Sequence, residues 1–114
     1  MTAGKKRSSA ELAELLDRLA HELRALYGER YRGLVLYGSY ARGEADEGSD
    51  VDVLLLLDGK VDVMRELKRS EEVKWPLSLE VGYTISLLPV SLDDYEKAEK
   101  PFLWNARKEG VRTL

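Results

Sequence analysis

Residues 51–57 read Val51-Asp52-Val53-Leu54-Leu55-Leu56-Leu57, a nearly unbroken apolar run closed by the turn dipeptide Asp58-Gly59. The run is short for a helix. An apolar run without alternation is what a strand shows when both of its faces are covered. This strand sets the frame, a sheet with layers on both sides. Upstream, Leu34-Val35-Leu36-Tyr37 reads as a short buried strand, and residues 38–43 as a turn into a short helix. Residues 83–89 read as a third strand. Further out, Leu12, Leu15, Leu16, Leu19, Leu23, Leu26 and Tyr27 recur at three- and four-residue steps, which makes a one-sided amphipathic helix. Ser8-Ser9-Ala10-Glu11 has the spacing of a capping box in front of it, and Gly28 is a natural terminator. Residues 61–81 read as helix, kinked or split near Ser70 or at Pro76, with Gly82 closing it. Ser91-Leu92-Asp93-Asp94 caps another helix. Pro101 sits at the first turn of a last one that Gly110 ends.

The order is therefore helix, strand, helix, strand, helix, strand, helix. It predicts an α/β (α+β) domain, a small mixed sheet of about three to four strands flanked by helices. Residues 9–114 are expected to form this single domain, behind a disordered basic stretch at residues 1–8.

Composition narrows the function. The net charge of −3 argues against nucleic acid as the main partner, because proteins that grip it display basic surfaces that neutralise phosphates. With no cysteine, disulfides and thiolate metal sites are excluded. The one histidine, His21, falls off the leucine stripe and is expected to be solvated; it leaves no histidine metal cluster and no Ser/His/Asp triad. No apolar run is long enough to span a bilayer, and no apolar segment follows the basic start. A cytoplasmic protein is the expectation.

Two features carry chemistry. Gly38-Ser39 lies where a strand ends and a helix begins, where free amides and positive partial charge attract anions. Glycine lets backbone approach a phosphate, and Ser39 adds a hydroxyl. Taken alone, the junction is also what a chain needs simply to turn. Asp50-Val51-Asp52 opens the buried strand, and its period of two puts both carboxylates on one face. Side by side, and with apolar residues behind them, they repel and resist ionisation. A hard cation resolves that conflict, and magnesium favours one or two carboxylates plus substrate phosphates. Taken alone, the pair also fits an exposed acidic loop, since Glu44, Asp46, Glu47, Asp50, Asp52 and Asp58 follow one another with no Lys or Arg between residues 43 and 59. Together, phosphate amides and a same-face carboxylate pair are the apparatus of metal-assisted phosphoryl transfer. Other phosphate and metal motifs fail. Residues 38–43 have P-loop glycine spacing without the Lys-Ser/Thr, and residues 46–52 lack EF-hand ligand spacing.

At this point Gly38-Ser39-Tyr40-Ala41-Arg42-Gly43, followed by Ser49-Asp50-Val51-Asp52-Val53, resembles the signature of the DNA polymerase β-type nucleotidyltransferase superfamily. Composition, order and spacing agree over the motif. The short chain is similar to the minimal nucleotidyltransferases, which are commonly encoded with a helical HEPN partner as a toxin–antitoxin pair. The tail around Pro101-Phe102-Leu103 and Arg107-Lys108-Glu109-Gly110-Val111 also looks like the end of such proteins. The resemblance implies that Gly38 and Ser39 hold the β- and γ-phosphates of ATP or another nucleoside triphosphate. Arg42 belongs with that phosphate-binding loop, bracing it rather than touching substrate. Asp50 and Asp52 would be the catalytic metal ligands for two Mg2+ ions, one serving the triphosphate and one the attacking hydroxyl. Active members transfer AMP to a tyrosine of the HEPN-type toxin and so silence it, which leaves room for a homo- or hetero-oligomer.

One departure matters. The family pattern has a third carboxylate on a later strand, whereas residues 83–89 here contain no Asp or Glu, and Ser86 falls near its place. Glu80 is assigned to the preceding helix as a solvated residue. Two readings follow: an AMP-transferring enzyme, or a catalytically weak NTP- and Mg-binding module that neutralises its partner by direct binding. For the second, Tyr95, Phe102, Leu103 and Trp104 would be either an apolar anchor or core packing of the last helix.

Overall fold

The computed structural model describes residues 9–46 and 48–113. Part of the capping box at Ser8-Ser9-Ala10-Glu11, the basic stretch at residues 1–8, and Glu47 of the acidic loop lie outside them. Helix α1 (Ser9–Tyr27) ends at Gly28, whose φ of 59° begins a short 3-10 turn, Gly28–Arg30. Then follow β1 (Tyr31–Tyr37), α2 (Ser39–Arg42), β2 (Val51–Leu57), α3 (Val63–Val81), β3 (Ile85–Ser91), α4 (Leu92–Lys97), α5 (Pro101–Glu109) and β4 (Val111–Thr113).

The four strands form one mixed sheet in the order β3-β2-β1-β4. β1 runs antiparallel to both β2 and β4, and β2 runs parallel to β3 through the α3 crossover. The apolar run at β2 is covered on both sides, as its composition requires. Val51, Val53, Leu55 and Leu57 pack against α1 and α3, while Leu54 and Leu56 pack against Tyr95 of α4 and Leu103 and Ala106 of α5. Leu19 and Leu23 of the α1 stripe have no exposed surface, and His21 is exposed on the opposite side. No helix among the described residues is long and apolar enough to cross a membrane.

Four elements differ from the sequence reading, the first being β4, which follows the last helix where no strand was read. α3 is unbroken through Ser70 and Pro76. Pro76 removes one helical N–H, but it sits on the exposed side beside solvent, while Leu77 and Ser70 anchor the buried side. Asp62 Oδ1 accepts from the Arg65 amide at the start of α3, and Gly82, at φ 73°, closes it. β3 lies two residues later than residues 83–89, because its parallel register runs from Val51 opposite Ile85 to Leu57 opposite Ser91. Pro89 is accommodated because β3 is an edge strand. β1 begins earlier, at Tyr31, with an irregular register between Tyr31 and Gly33 that carries the strand past Arg32.

Candidate functional site

The site is assembled where β1 ends and where β2 and β3 begin. Tyr37 pairs with Asp52 across the antiparallel ladder, and Asp52 pairs with Ser86 across the parallel one. Residues in register on neighbouring strands share a face, so Tyr37, Asp52 and Ser86 form a row across three strands on the α4/α5 side. The row beneath it, Val35, Leu54 and Leu88, is an apolar floor. Ser86 therefore stands beside Asp52, where a third carboxylate was sought. Glu80 is on α3, exposed and paired with Arg18 at 2.6 Å.

Gly38 follows Tyr37 with φ 75° and ψ −154°, a backbone region that is essentially restricted to glycine. A second constraint acts at the same atom. A Cβ built there would lie 2.3 Å from Asp52 Oδ2 and 3.2 Å from its Cγ. The backbone of the candidate phosphate loop thus runs directly against the Asp52 carboxylate. Ser39 is half-buried, and its hydroxyl has no hydrogen-bond partner among the described residues. The turn is closed by the Arg42 amide donating to Gly38 O at 3.1 Å and the Glu44 amide donating to Ser39 O at 2.9 Å. Arg42 braces this turn. Its Nε lies 2.7 Å from Glu44 Oε1 and its Nη1 3.4 Å from Glu109 Oε2, so the loop is tied to α5.

The acidic loop is held by its own side chains. Asp46 Oδ1 accepts from the Gly48 amide at 2.9 Å and from Ser49 Oγ at 3.2 Å, and Ser49 Oγ accepts from the Asp46 amide at 3.0 Å. The Val51 amide then donates to Thr84 O at 2.8 Å, which fixes the entry to β2. The two aspartates are not equivalent. Asp50 precedes the strand and is exposed, whereas Asp52 lies inside it and is half-buried. The expected burial of the pair thus holds for Asp52, while Asp50 has the exposure of the alternative acidic loop. Burial raises the pKa of Asp52, the Asp50 charge raises it further, and Arg42 opposes both. The neighbouring Tyr37 hydroxyl is pushed up to about 12, by burial and then by the Asp52 charge.

Among the described residues, no group of three or more His, Asp or Glu is placed to hold a metal ion. Two neighbouring carboxylates, one exposed and one half-buried, beside the candidate phosphate loop nevertheless fit magnesium, which takes few protein ligands and completes its shell with substrate oxygens and water.

A cleft of about 310 Å3 opens beside the row, between the end of β1 and α5, lined by Tyr37, Gly38, Phe102, Asn105 and Glu109 among others. Phe102 meets the Tyr37 ring edge-on, with centroids 5.4 Å apart and an interplanar angle of 82°. The aromatic group at the C-terminus thus divides. Tyr95 and Leu103 are core, while Phe102 and Trp104 are 44% and 53% exposed. Tyr37, Asn105 and Glu109 escaped the sequence reading as site residues. Tyr37 was detectable by period two from Val35, and positions 102, 105 and 109 by their common helix face.

The family model of the nucleotidyltransferase domain matches residues 16–111, which include every residue of this site. The chain belongs to that family. A provisionally named protein adenylyltransferase of Methanocaldococcus jannaschii is 32% identical to this nucleotidyltransferase over 81 residues, 70% of this chain and 78% of that one. A bifunctional uridylyltransferase/uridylyl-removing enzyme of Cupriavidus pinatubonensis is 37% identical over 87 residues, 68% of this chain but 10% of the enzyme. The nucleotidyltransferase spans about a tenth of that enzyme's length. Among solved structures, a chain of the toxin–antitoxin complex MntA–HepT superposes with a TM-score of 0.54 at 14% identity, covering 96% of this chain and 73% of that one. A provisionally named nucleotidyltransferase from Sulfolobus solfataricus gives 0.54 at 15% identity, covering 93% and 87%. At such identities these two likenesses establish the shared fold.

Proposed function

We propose that this nucleotidyltransferase moves a nucleoside monophosphate, AMP from ATP, onto a hydroxyl of a partner protein in a Mg2+-dependent reaction. We take the partner to be a HEPN-type toxin in the cytoplasm, silenced by the modification. The observation that carries the reading is the contact of Gly38 with Asp52, which sets a phosphate-binding turn against a carboxylate pair. The name carried by the M. jannaschii relative and the fold shared with MntA–HepT support the protein acceptor and the antitoxin role.

In this reading the acceptor hydroxyl oxygen bonds to the α-phosphorus as the bond to the β-phosphate breaks, pyrophosphate leaves and the hydroxyl proton passes to solvent. Ser39 and the backbone at Gly38 bind the β- and γ-phosphates and orient the triphosphate. Asp50 and Asp52 would hold the two Mg2+ ions, which would supply charge neutralisation, one at the triphosphate and one at the attacking hydroxyl. Arg42, locked to Glu44 and Glu109, keeps the turn in shape. Tyr37 and Leu54 close the apolar side and limit water.

A second reading rests on Ser86. It stands in register with Asp52 where it can neither accept a proton as a base nor bind a metal as a carboxylate does. General-base help is worth about 10²–10⁴-fold, so a site without it binds Mg–ATP and turns over slowly or not at all. Neutralisation would then come from direct binding, with exposed Trp104 as an anchor.

The two separate in one experiment with labelled ATP, Mg2+ and the adjacent gene's product. Label on the partner that falls on the order of 10²–10⁴-fold in Asp52→Asn supports transfer. No label in the wild type, with Asp50→Asn/Asp52→Asn still protecting cells, supports direct binding instead.

A further inference from the structure

Helix α3 buries one side and leaves the other without a neighbour. Glu66, Ser70 and Leu77 face the core. At about 100° per residue, Met64, Arg65, Lys68, Glu72, Trp75 and Leu79 fall within roughly 60° of one line on the opposite side. All six are exposed, Met64 by 75%, Trp75 by 53% and Leu79 by 79%. The stripe is divided along its length. Its first half carries Arg65 and Lys68, and its second carries Glu72 with the apolar Trp75, Pro76 and Leu79. None of Arg65, Lys68 and Glu72 forms an ion pair among the described residues. A groove of about 510 Å3 opens along the first half, lined by Met64, Arg65, Leu67, Lys68 and Glu71.

We propose that this face is an interface between two copies of the chain, with their α3 helices packed antiparallel about a two-fold axis. A two-fold interface sets one patch against itself, so each residue must suit the one it meets in reverse order. One register does this along the stripe. With the axis level with Ser70, Lys68 meets Glu72 of the second copy, and symmetry supplies that pair twice. Arg65 then meets the second copy's Trp75, a cation against an aromatic face. Lys74 lies over one face of that ring, 5.0 Å from its centroid, which leaves the other for Arg65. The same register carries the second copy's Trp75 into the groove between Met64 and Lys68. Other arrangements fail on charge. A parallel pairing opposes Lys68 to Lys68 and Glu72 to Glu72, and the register that sets Met64 against Leu79 opposes Glu71 to Glu72. From Met64 to Leu79 the stripe is about 22 Å long, which keeps the buried area under about 1,200 Å2 and makes the dimer a weak, reversible one. The α3 layer lies across the sheet from α4 and α5, so pairing leaves the Asp52 row open.

Sedimentation equilibrium on the full chain tests this. We expect a monomer–dimer equilibrium with a Kd of roughly 10–100 μM. Lys68→Glu and Glu72→Lys should each weaken it about ten-fold, because each sets like charges together twice. An equimolar mixture of those two variants should dimerise as the wild type does, since each chain offers the charge the other lacks. Trp75→Ala should abolish the dimer and leave the Tm of the dilute protein unchanged. A wild type that stays monomeric up to about 500 μM overturns the proposal. So does a dimer that none of the three variants weakens, or a mixture that dimerises no better than its components.

Discussion

Across the single strand β2, one face meets two nineteen-residue helices and the other meets helices of six and nine residues. Among the described residues, seventeen buried side chains form the cluster under α1 and α3, against seven under α4 and α5. The thick side is dry along the whole strand, from Val51 to Leu57. The thin side stops at Leu54, and the next position outward on that face is Asp52. A carboxylate can be kept half-buried there, with its pKa raised, because the cover ends beside it. Period two thus lets adjacent residues of one strand serve stability and chemistry separately.

The largest test of that contrast is a matched pair of deletions. Leu55 and Leu54 are both fully buried, one on each face. Leu55→Ala should cost about 3–5 kcal/mol and Leu54→Ala about 2–3, since the thin layer can settle into its cavity. Urea denaturation measures both, and equal or reversed costs would remove the distinction.

Next in size is Gly38→Ala. Both the positive φ and the approach to Asp52 Oδ2 oppose a Cβ, so about 1–3 kcal/mol of stability should be lost. Thermal melting with and without Mg–ATP should show a lower Tm and no shift on ligand addition. A retained ligand shift would mean that the phosphates sit elsewhere.

The smallest effect is on the ligand-free protein. Burial and Asp50 raise the Asp52 pKa in the folded state, so its ionised form weakens the fold at neutral pH. Between the ordinary carboxylate value of 3.8 and the raised one, the folded state binds more protons than the unfolded state. Wild-type stability therefore gains from this group as pH falls through that window. Asp52→Asn should be more stable than wild type at pH 7 by under about 1 kcal/mol, the scale of solvent-screened charges. The gap should close towards pH 3.8 in parallel pH-dependent melts. An Asp52→Asn variant less stable than wild type at pH 7 would show that the carboxylate is supported rather than penalised.

How far the sequence discloses this molecule varies by element. β2 is legible to the residue, because only a strand covered on both faces has that composition. α1 and the caps at Ser91 and Gly82 are legible because their signals are local. The continuity of α3 is not, since the anchoring of its buried side by Leu77 and Ser70 overrides the proline. β4 is too short for any periodicity, and Val111 and Arg112 are exposed, so only pairing with β1 defines it. In the site, the Gly-Ser and Asp-x-Asp elements are readable from spacing. Their contact is not, because it depends on the register that sets Tyr37 against Asp52. The α5 cleft is the least visible, as its residues lie far along the chain from the motif.

That register also sets an order of assembly. Tyr37 and Asp52 belong to consecutive antiparallel strands, and closing the short segment between them costs little chain entropy. β3 reaches the sheet only after the α3 crossover, and α5 later in the chain still. Contacts close in sequence form ahead of distant ones, so the Gly38 turn and the Asp52 carboxylate should meet before Ser86 or Phe102 arrives. Partial opening of the native protein should run the other way. The thin α4/α5 layer would detach first, while the Gly38–Asp52 hairpin still stands.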